Sequence, residues 1–336
     1  MSRLRVPVTV ATALAVPLVL SGCGTQSAAA PSDGSAQAER LSVVATTTQL
    51  QDFVGVVGGD LVDLTGILRP GLEAHDFSPS PADVVAIGEA DVLVQNGLGL
   101  EHWLGATVAS AGFDGTQVDA SEGVEVRDTA AGAHAEDEHV DDPAHAEEEH
   151  ADDAEAHGQG DPHIWQSPAN AVLMVENVAD GLAEADPANA DVYRANAAAY
   201  IEELRALDAE VAAAIGPLPD KRVVTNHEAF GYYTDRYGLE LVGAVIPSFD
   251  SSTELSDAEV SDLVQRIRET GAKAVFSESS LPPETAETVG REAGVEVVTG
   301  EEALYGDSLG EAGSDAATYV DMIRHNTAVF VDALSG

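Results

Sequence analysis

The chain has 336 residues, 44% of them hydrophobic, which is enough for two cores rather than one. Its 59 acidic side chains against 15 basic ones leave a formal net charge of -44. That balance argues against nucleic acid, whose phosphates need Lys and Arg, and against acidic lipid headgroups; metal cations are the natural attraction, and much of the surface acid needs only water.

The first segment differs from the rest. Arg3 and Arg5 precede "VPVTVATALAVPLVL", an apolar run too short and too interrupted by proline to make a good membrane span. "LSGC" follows, ending at Cys23, the only cysteine, so no disulfide can form within the chain. The four residues resemble a lipobox, in which the peptide bond before Cys is cut and the thiol is lipidated. Residues 1–22 are therefore expected to be a lipoprotein signal peptide. Residues 23–40, small and polar, read as a flexible tether.

From Leu41 the pattern alternates. "LSVVATTT" reads as a buried strand and "QLQDFVGVVGG" as a helix ending at a glycine pair. "LVDLTGI" is a second strand. "SPADVVAIGEA" is a helix capped by Ser80 with Pro81 at its first position. "DVLVQNG" is a third strand, and "LEHWLGATVASAG" is read as a helix carrying His102 beside Trp103. An acidic stretch follows, and then the helix "SPANAVLMVENVADGLAEA". A second helix of nearly thirty residues is expected to be capped by Asp186, opened by Pro187 and ended by Gly216. Val192, Tyr200, Leu204, Leu207 and Val211 give it an approximate apolar stripe. "RVVTN", "ELVGAVI", "AKAVFSE" and "VEVVTG" are four more strands, with helices at 228–237, 256–270 and 283–293 between them. A final helix is expected from about Ser314 to Leu334, with His325 facing outward. Alternation of this kind predicts an α/β fold with parallel sheets in two Rossmann-like lobes joined by one long helix. The expected boundaries are 41–185 for the first lobe, with a His- and acid-rich loop at 133–160, 186–216 for the linking helix, and 217–336 for the second lobe.

The chain has ten histidines, and six lie between His134 and Trp165. His134, His139, His145, His150 and His157 are separated by five, six, five and seven residues, so no helical face collects them. Their surroundings are Ala, Asp and Glu, with little to bury; a solvated loop that chelates metal weakly is the expectation. His75 follows the second strand, His163 follows the turn made by Asp161 and Pro162, and His227 ends a strand. Asp307 lies in the Gly-flanked turn "LYGDSLG". Ligands bind at the carboxyl ends of strands in open α/β sheets. Three imidazoles and a carboxylate would close a tetrahedral site suited to Zn²⁺. Spacing alone does not bring the four together, because no HExxH or C-x-x-C signature links them.

Four phrases do link them: "PGLEAHDFSPSPADVVAIGEADVLVQNGLGLEHWL", "DPHIWQSPANA", "NHEAFGYYTDRYGLELVGAVIPS" and "EALYGDSLG". In this order, with the lipobox and the long helix, they resemble the zinc/manganese solute-binding lipoproteins of ABC importers, from about Leu41 to the C-terminus. The resemblance implies that His75, His163, His227 and Asp307 hold the metal in a cleft between the lobes. It implies a rigid linking helix, an extracytoplasmic and lipid-anchored monomer, and partners in a membrane permease and its ATPase. Two departures leave this set intact: Ser78 stands where Glu is frequent, and Gln166–Ser167 where Leu–Asp is frequent. Glu278, in "FSESSL", is placed to hydrogen-bond a ligating imidazole.

Manganese members resembling this chain tend to carry Glu at the position of His227. Imidazole suits Zn²⁺, and the Irving–Williams order makes it the tighter binder at most N/O sites. A His-rich loop before "DPHxW" also occurs in the zinc members. Zn²⁺ is therefore the expected ligand, and Mn²⁺, alone or mixed, the alternative. A zinc hydrolase is the rival class, but it would need an open coordination position and a general base, and the four residues fill a tetrahedron. A surface adhesin is a further reading.

Overall fold

The computed structural model describes residues 40–127, 160–253 and 256–336. The first half is a four-stranded parallel sheet with helices on its faces. Strand β1 (Leu41–Ala45) leads into α1 (Thr48–Gly58), whose first turn is capped by the Thr47 hydroxyl accepting from the Leu50 N–H. Next come β2 (Val62–Gly66), α2 (Pro81–Gly88), β3 (Val92–Gln95), α3 (Leu104–Ala111) and β4 (Thr116–Asp119). The spatial order is β2-β1-β3-β4, with Val43 paired to Leu64 on one side and Val92 on the other. Ser80 caps α2 and Pro81 opens it, as the sequence predicts, and Asp83 completes a reciprocal capping box.

The chain then makes a short 3-10 turn (Ile164–Gln166) and two long helices, α4 (Pro168–Ala185) and α5 (Ala190–Ile215). The second half holds β5 (Arg222–His227), α6 (Gly231–Tyr237), β6 (Glu240–Ile246), α7 (Asp257–Thr270), β7 (Ala274–Phe276), α8 (Glu284–Ala293), β8 (Glu296–Val298) and α9 (Tyr319–Leu334). Its strands pair in parallel as β5-β6 and β7-β8, and β7 lies alongside β5. The fold is therefore α/β with parallel sheets in two lobes.

Helix α5 packs along α4, α1 and α9, so both halves grip it. Tyr193, Ala197, Tyr200, Ile201, Leu204, Leu207, Val211 and Ile215 form its buried face. Each large side chain of this kind contributes about 1.5–3 kcal/mol on burial. One continuous core runs from Val43 in β1 through Tyr200 to Phe330 in α9.

Several local expectations need correction. Val192 is 45% exposed, and Tyr193 holds the buried position beside it. Helix α5 starts three residues after Pro187, because Asp186 instead ends α4 and its carboxylate accepts from Asn189 Nδ2 (2.6 Å) and the Tyr193 hydroxyl (2.9 Å). His102 precedes α3 in a turn. Gly97, Leu98 and Gly99 all have positive φ, which a right-handed helix excludes. His325 is half-buried, with Nε2 3.0 Å from the Ala303 carbonyl and its ring against Tyr305. Helix α9 begins at Tyr319, where the Thr318 hydroxyl caps it.

Candidate metal centre

One strand end and three loops deliver four side chains to one point. His75 lies in the loop after β2. His163 lies just before the 3-10 turn that opens onto α4, His227 is the last residue of β5, and Asp307 lies in the loop between β8 and α9. Among the described residues, these four form a group whose ligand atoms all fall within 4.8 Å of one another, and all four are buried. His163 Nε2 is 3.2 Å from His75 Nε2 and 3.4 Å from His227 Nε2. Asp307 Oδ1 is 3.5 Å from both His163 Nε2 and His227 Nε2, and Asp307 Oδ2 is 3.5 Å from His75 Nε2. A tetrahedral ion with bonds of about 2.0–2.1 Å separates its ligand atoms by about 3.3–3.4 Å.

The ring orientations are fixed from behind. His163 Nδ1 is 2.9 Å from Asp161 Oδ1, which also accepts from the His163 backbone N–H (3.0 Å). His227 Nδ1 is 2.8 Å from Glu278 Oε1, which likewise accepts from the His227 backbone N–H (3.0 Å). An ionised carboxylate only accepts, so each Nδ1 carries a proton and each Nε2 turns toward the shared point. Carboxylate–imidazole pairs of this kind orient metal-binding histidines.

The loop carrying Asp307 is tied down through its neighbour. Trp165 Nε1 and Gln166 Nε2 both donate to the Gly306 carbonyl, at 3.0 and 2.9 Å. A Cβ on Gly306 would overlap Glu278 Oε2, so glycine is required for Glu278 to reach His227. Among the described residues, both Asp307 oxygens and Glu278 Oε2 are buried without any hydrogen-bond partner. A buried anion left in that state is costly, and a cation bound among them relieves it.

The electrostatics agree with a cation site. Burial pushes the His75 imidazole down to about 4, against the pull of Asp307. Burial also works against a charged His227, but the carboxylates of Glu278 and Asp307 outweigh it and hold that ring well above the ordinary histidine value. Burial would raise the Asp307 carboxyl, yet His227 and His163 keep it well below the usual carboxylate range. Glu73, two residues before His75, is raised to about 8 by burial and then by the Asp307 charge. Without metal, a proton on His227 thus balances the carboxylates, and a divalent cation must displace it.

Of the residues singled out in the sequence, His75, His163, His227 and Asp307 meet, and Glu278 stands behind His227. Cys23 and the loop residues His134, His139, His145, His150 and His157 lie outside the described residues. Sequence reasoning missed Asp161 as the support of His163. Its signal was present in "DPH", where a carboxylate two residues ahead is turned back by proline. Arg127 and Glu73 also went unread.

Known proteins resemble this chain over most of its length. The family model described as zinc-uptake complex component A, periplasmic, matches residues 43–333. The manganese-binding lipoprotein MntA of Halalkalibacterium halodurans is 32% identical over 324 residues, 96% of each chain. The iron-binding protein YfeA of Yersinia pestis is 30% identical over 324 residues, 96% of this chain and 95% of its own. Among solved structures, the periplasmic zinc binding protein TroA from Treponema pallidum aligns with a TM-score of 0.75 and 26% identity, covering 89% of this chain and all of its own. A match across nearly all of the chain beyond its first 42 residues, with relatives of the same length, places the chain in the zinc-uptake complex component A family of metal-binding substrate-binding proteins of ABC importers.

Proposed function

We propose that this protein captures Zn²⁺ outside the cytoplasmic membrane and hands it to a membrane permease driven by a cytoplasmic ATPase. His75, His163, His227 and Asp307 are the ligands. The observation that carries the reading is the convergence of three Nε2 atoms and a carboxylate at 3.2–3.5 Å in a buried pocket. Three imidazoles favour Zn²⁺ over Mn²⁺, which prefers oxygen. The chemistry is capture: the four residues complete a tetrahedron, leaving no position for an activated water, so no hydrolytic role is proposed.

Residues 1–22 serve as the signal peptide, Cys23 as the lipidation site, and 23–40 as the tether, in line with relatives named as lipoproteins. No helix among the described residues is long and apolar enough to cross a membrane. Residues 41–185 and 217–336 act as lobes about the helix at 186–216, and the chain works as a monomer. The His-rich segment at 133–160 acts as an auxiliary weak collector of Zn²⁺.

Manganese is the second reading. Relatives at 30–32% identity are named for manganese and for iron. Both Asp307 oxygens also face the imidazoles, an arrangement open to added oxygen coordination. A competitive titration of the purified protein with Zn²⁺ and Mn²⁺ decides between them. About one tight Zn²⁺, not displaced by equimolar Mn²⁺, is expected; preferential retention of Mn²⁺ would reverse the assignment.

A further inference from the structure

The two carboxylate-backed histidines are not supported alike. Asp161 Oδ1 takes both His163 nitrogens, while Oδ2 accepts from Arg127 Nη1 at 2.8 Å. The Asp161 side chain is fully buried and that of Arg127 is 28% exposed. Arg127 Nε donates in turn to Asp235 Oδ2 (2.6 Å) on α6, across to the second half of the fold. Its backbone N–H donates to the Tyr232 hydroxyl (3.1 Å), which donates to the Asp161 carbonyl (2.9 Å). The Asp161 backbone N–H closes the circuit on the Arg127 carbonyl (2.9 Å). The guanidinium also lies 5.5 Å from the centre of the Tyr232 ring. Room for it exists only because residue 231 is glycine: a Cβ there would overlap Arg127 Nη1 and crowd Asp161 Oδ2.

We infer that Arg127 is a positioning residue for the metal: it locks the Asp161 carboxylate in the one rotamer that aims His163 Nε2 at the site, and it does so from an anchor on α6. The inference rests on His163 being a ligand. A flexible carboxylate with one free oxygen can rotate away from an imidazole. A guanidinium fork held at its other edge by Asp235 removes that freedom, and Lys could not grip both carboxylates in the same plane. Because Arg127 and Asp161 belong to one side of the site and α6 to the other, the same bonds couple the seating of α6 to the aim of His163. Residues supporting a metal-bound imidazole typically change affinity by about 10–100-fold when lost.

The test uses the full chain, Zn²⁺ in competition with a chelator, Co²⁺ absorption as a report on ligand geometry, and the melting temperature of the metal-free protein. Arg127→Met should weaken Zn²⁺ binding and speed its dissociation by about 10-fold or more. It should also alter the Co²⁺ spectrum, with a loss of affinity larger than any fall in metal-free melting accounts for, since the buried Asp161 carboxylate loses its cation. Arg127→Lys should recover part of the loss. Gly231→Ala keeps every charge but displaces the guanidinium, and should act in the same direction; it decides the matter should Arg127→Met fold poorly. Asp235→Asn, which loosens the anchor on α6, should act in the same direction but only by about 2–5-fold, because the parent carboxylate is 65% exposed; parental affinity there would remove the anchoring role of α6. Parental affinity and spectrum in both Arg127→Met and Gly231→Ala would overturn the inference. So would losses that follow the melting temperature alone. A His163→Ala arm separates the layers: retained affinity there removes the ligand assignment itself, whereas loss there with none at Arg127 removes only this positioning role.

Discussion

His163 and His227 stand with their Nε2 atoms 3.4 Å apart, and each keeps Nδ1 on a buried carboxylate, yet the two carboxylates live in different fields. Asp161 shares its charge with Arg127, and all of its close partners are satisfied. Among the described residues, Glu278 has no cation beside it other than the His227 ring, and its second oxygen is buried without a partner. The first arrangement spends its charge on holding an imidazole still. The second leaves charge free to act on whatever occupies the site. That difference explains why His227, despite full burial, is held protonated without metal, and why a cation is welcome where the proton sits.

The sharpest way to break the comparison is to remove either ring. His163→Ala and His227→Ala should each weaken Zn²⁺ binding by more than about 100-fold, beyond the range of supporting residues. Chelator competition measures it, and parental affinity in either variant would remove that residue from the ligand set. Next come the carboxylates. Glu278→Gln should cost about 10–100-fold, and more than Asp161→Asn, because Glu278 contributes uncompensated charge as well as orientation. Equal losses would mean that orientation alone matters.

Proton release comes third. His227 is raised, so at neutral pH the metal-free ring is charged, and Zn²⁺ must expel its proton. Calorimetry in buffers of different ionisation enthalpy should give about one proton released per Zn²⁺ near pH 7, lost in Glu278→Gln. His75 behaves oppositely. Its value is lowered to about 4, so the folded metal-free protein resists protonating it while the unfolded chain accepts a proton near 6.5. It therefore destabilises the fold as pH falls through that window, and His75→Gln should flatten this part of the stability curve. The smallest effect on the tight site is expected from deleting 134–157. The stoichiometry of weak Zn²⁺ binding should drop while the tight affinity stays within about 2-fold. Loss of the tight site would show that the loop does more than collect.

Legibility followed the reach of local signals. Seven strands announced themselves as apolar runs, but β4 did not, since "TQVD" buries only Val118 and forms through pairing with β3. The stop and start around Asp186 misled because Asp-Pro suits a helix opening, while the actual partners of that carboxylate are Asn189 and Tyr193. The four site residues were readable from strand-end placement together with motif phrases. Their supports were less so. Glu278 lies 51 residues from His227, and Arg127 lies 34 from Asp161 with the acidic segment between them. Gly231 and Gly306 matter for the side chains that pass over them, which no sequence pattern announces.

The central claim is that Zn²⁺ sits among His75, His163, His227 and Asp307. Anomalous scattering at the zinc edge from crystals of the Zn²⁺-loaded protein tests it directly. The account predicts one dominant peak about 2.0–2.2 Å from the three Nε2 atoms and an Asp307 oxygen. A dominant peak anywhere else, or one that leaves any of the three imidazoles unbound, would contradict it.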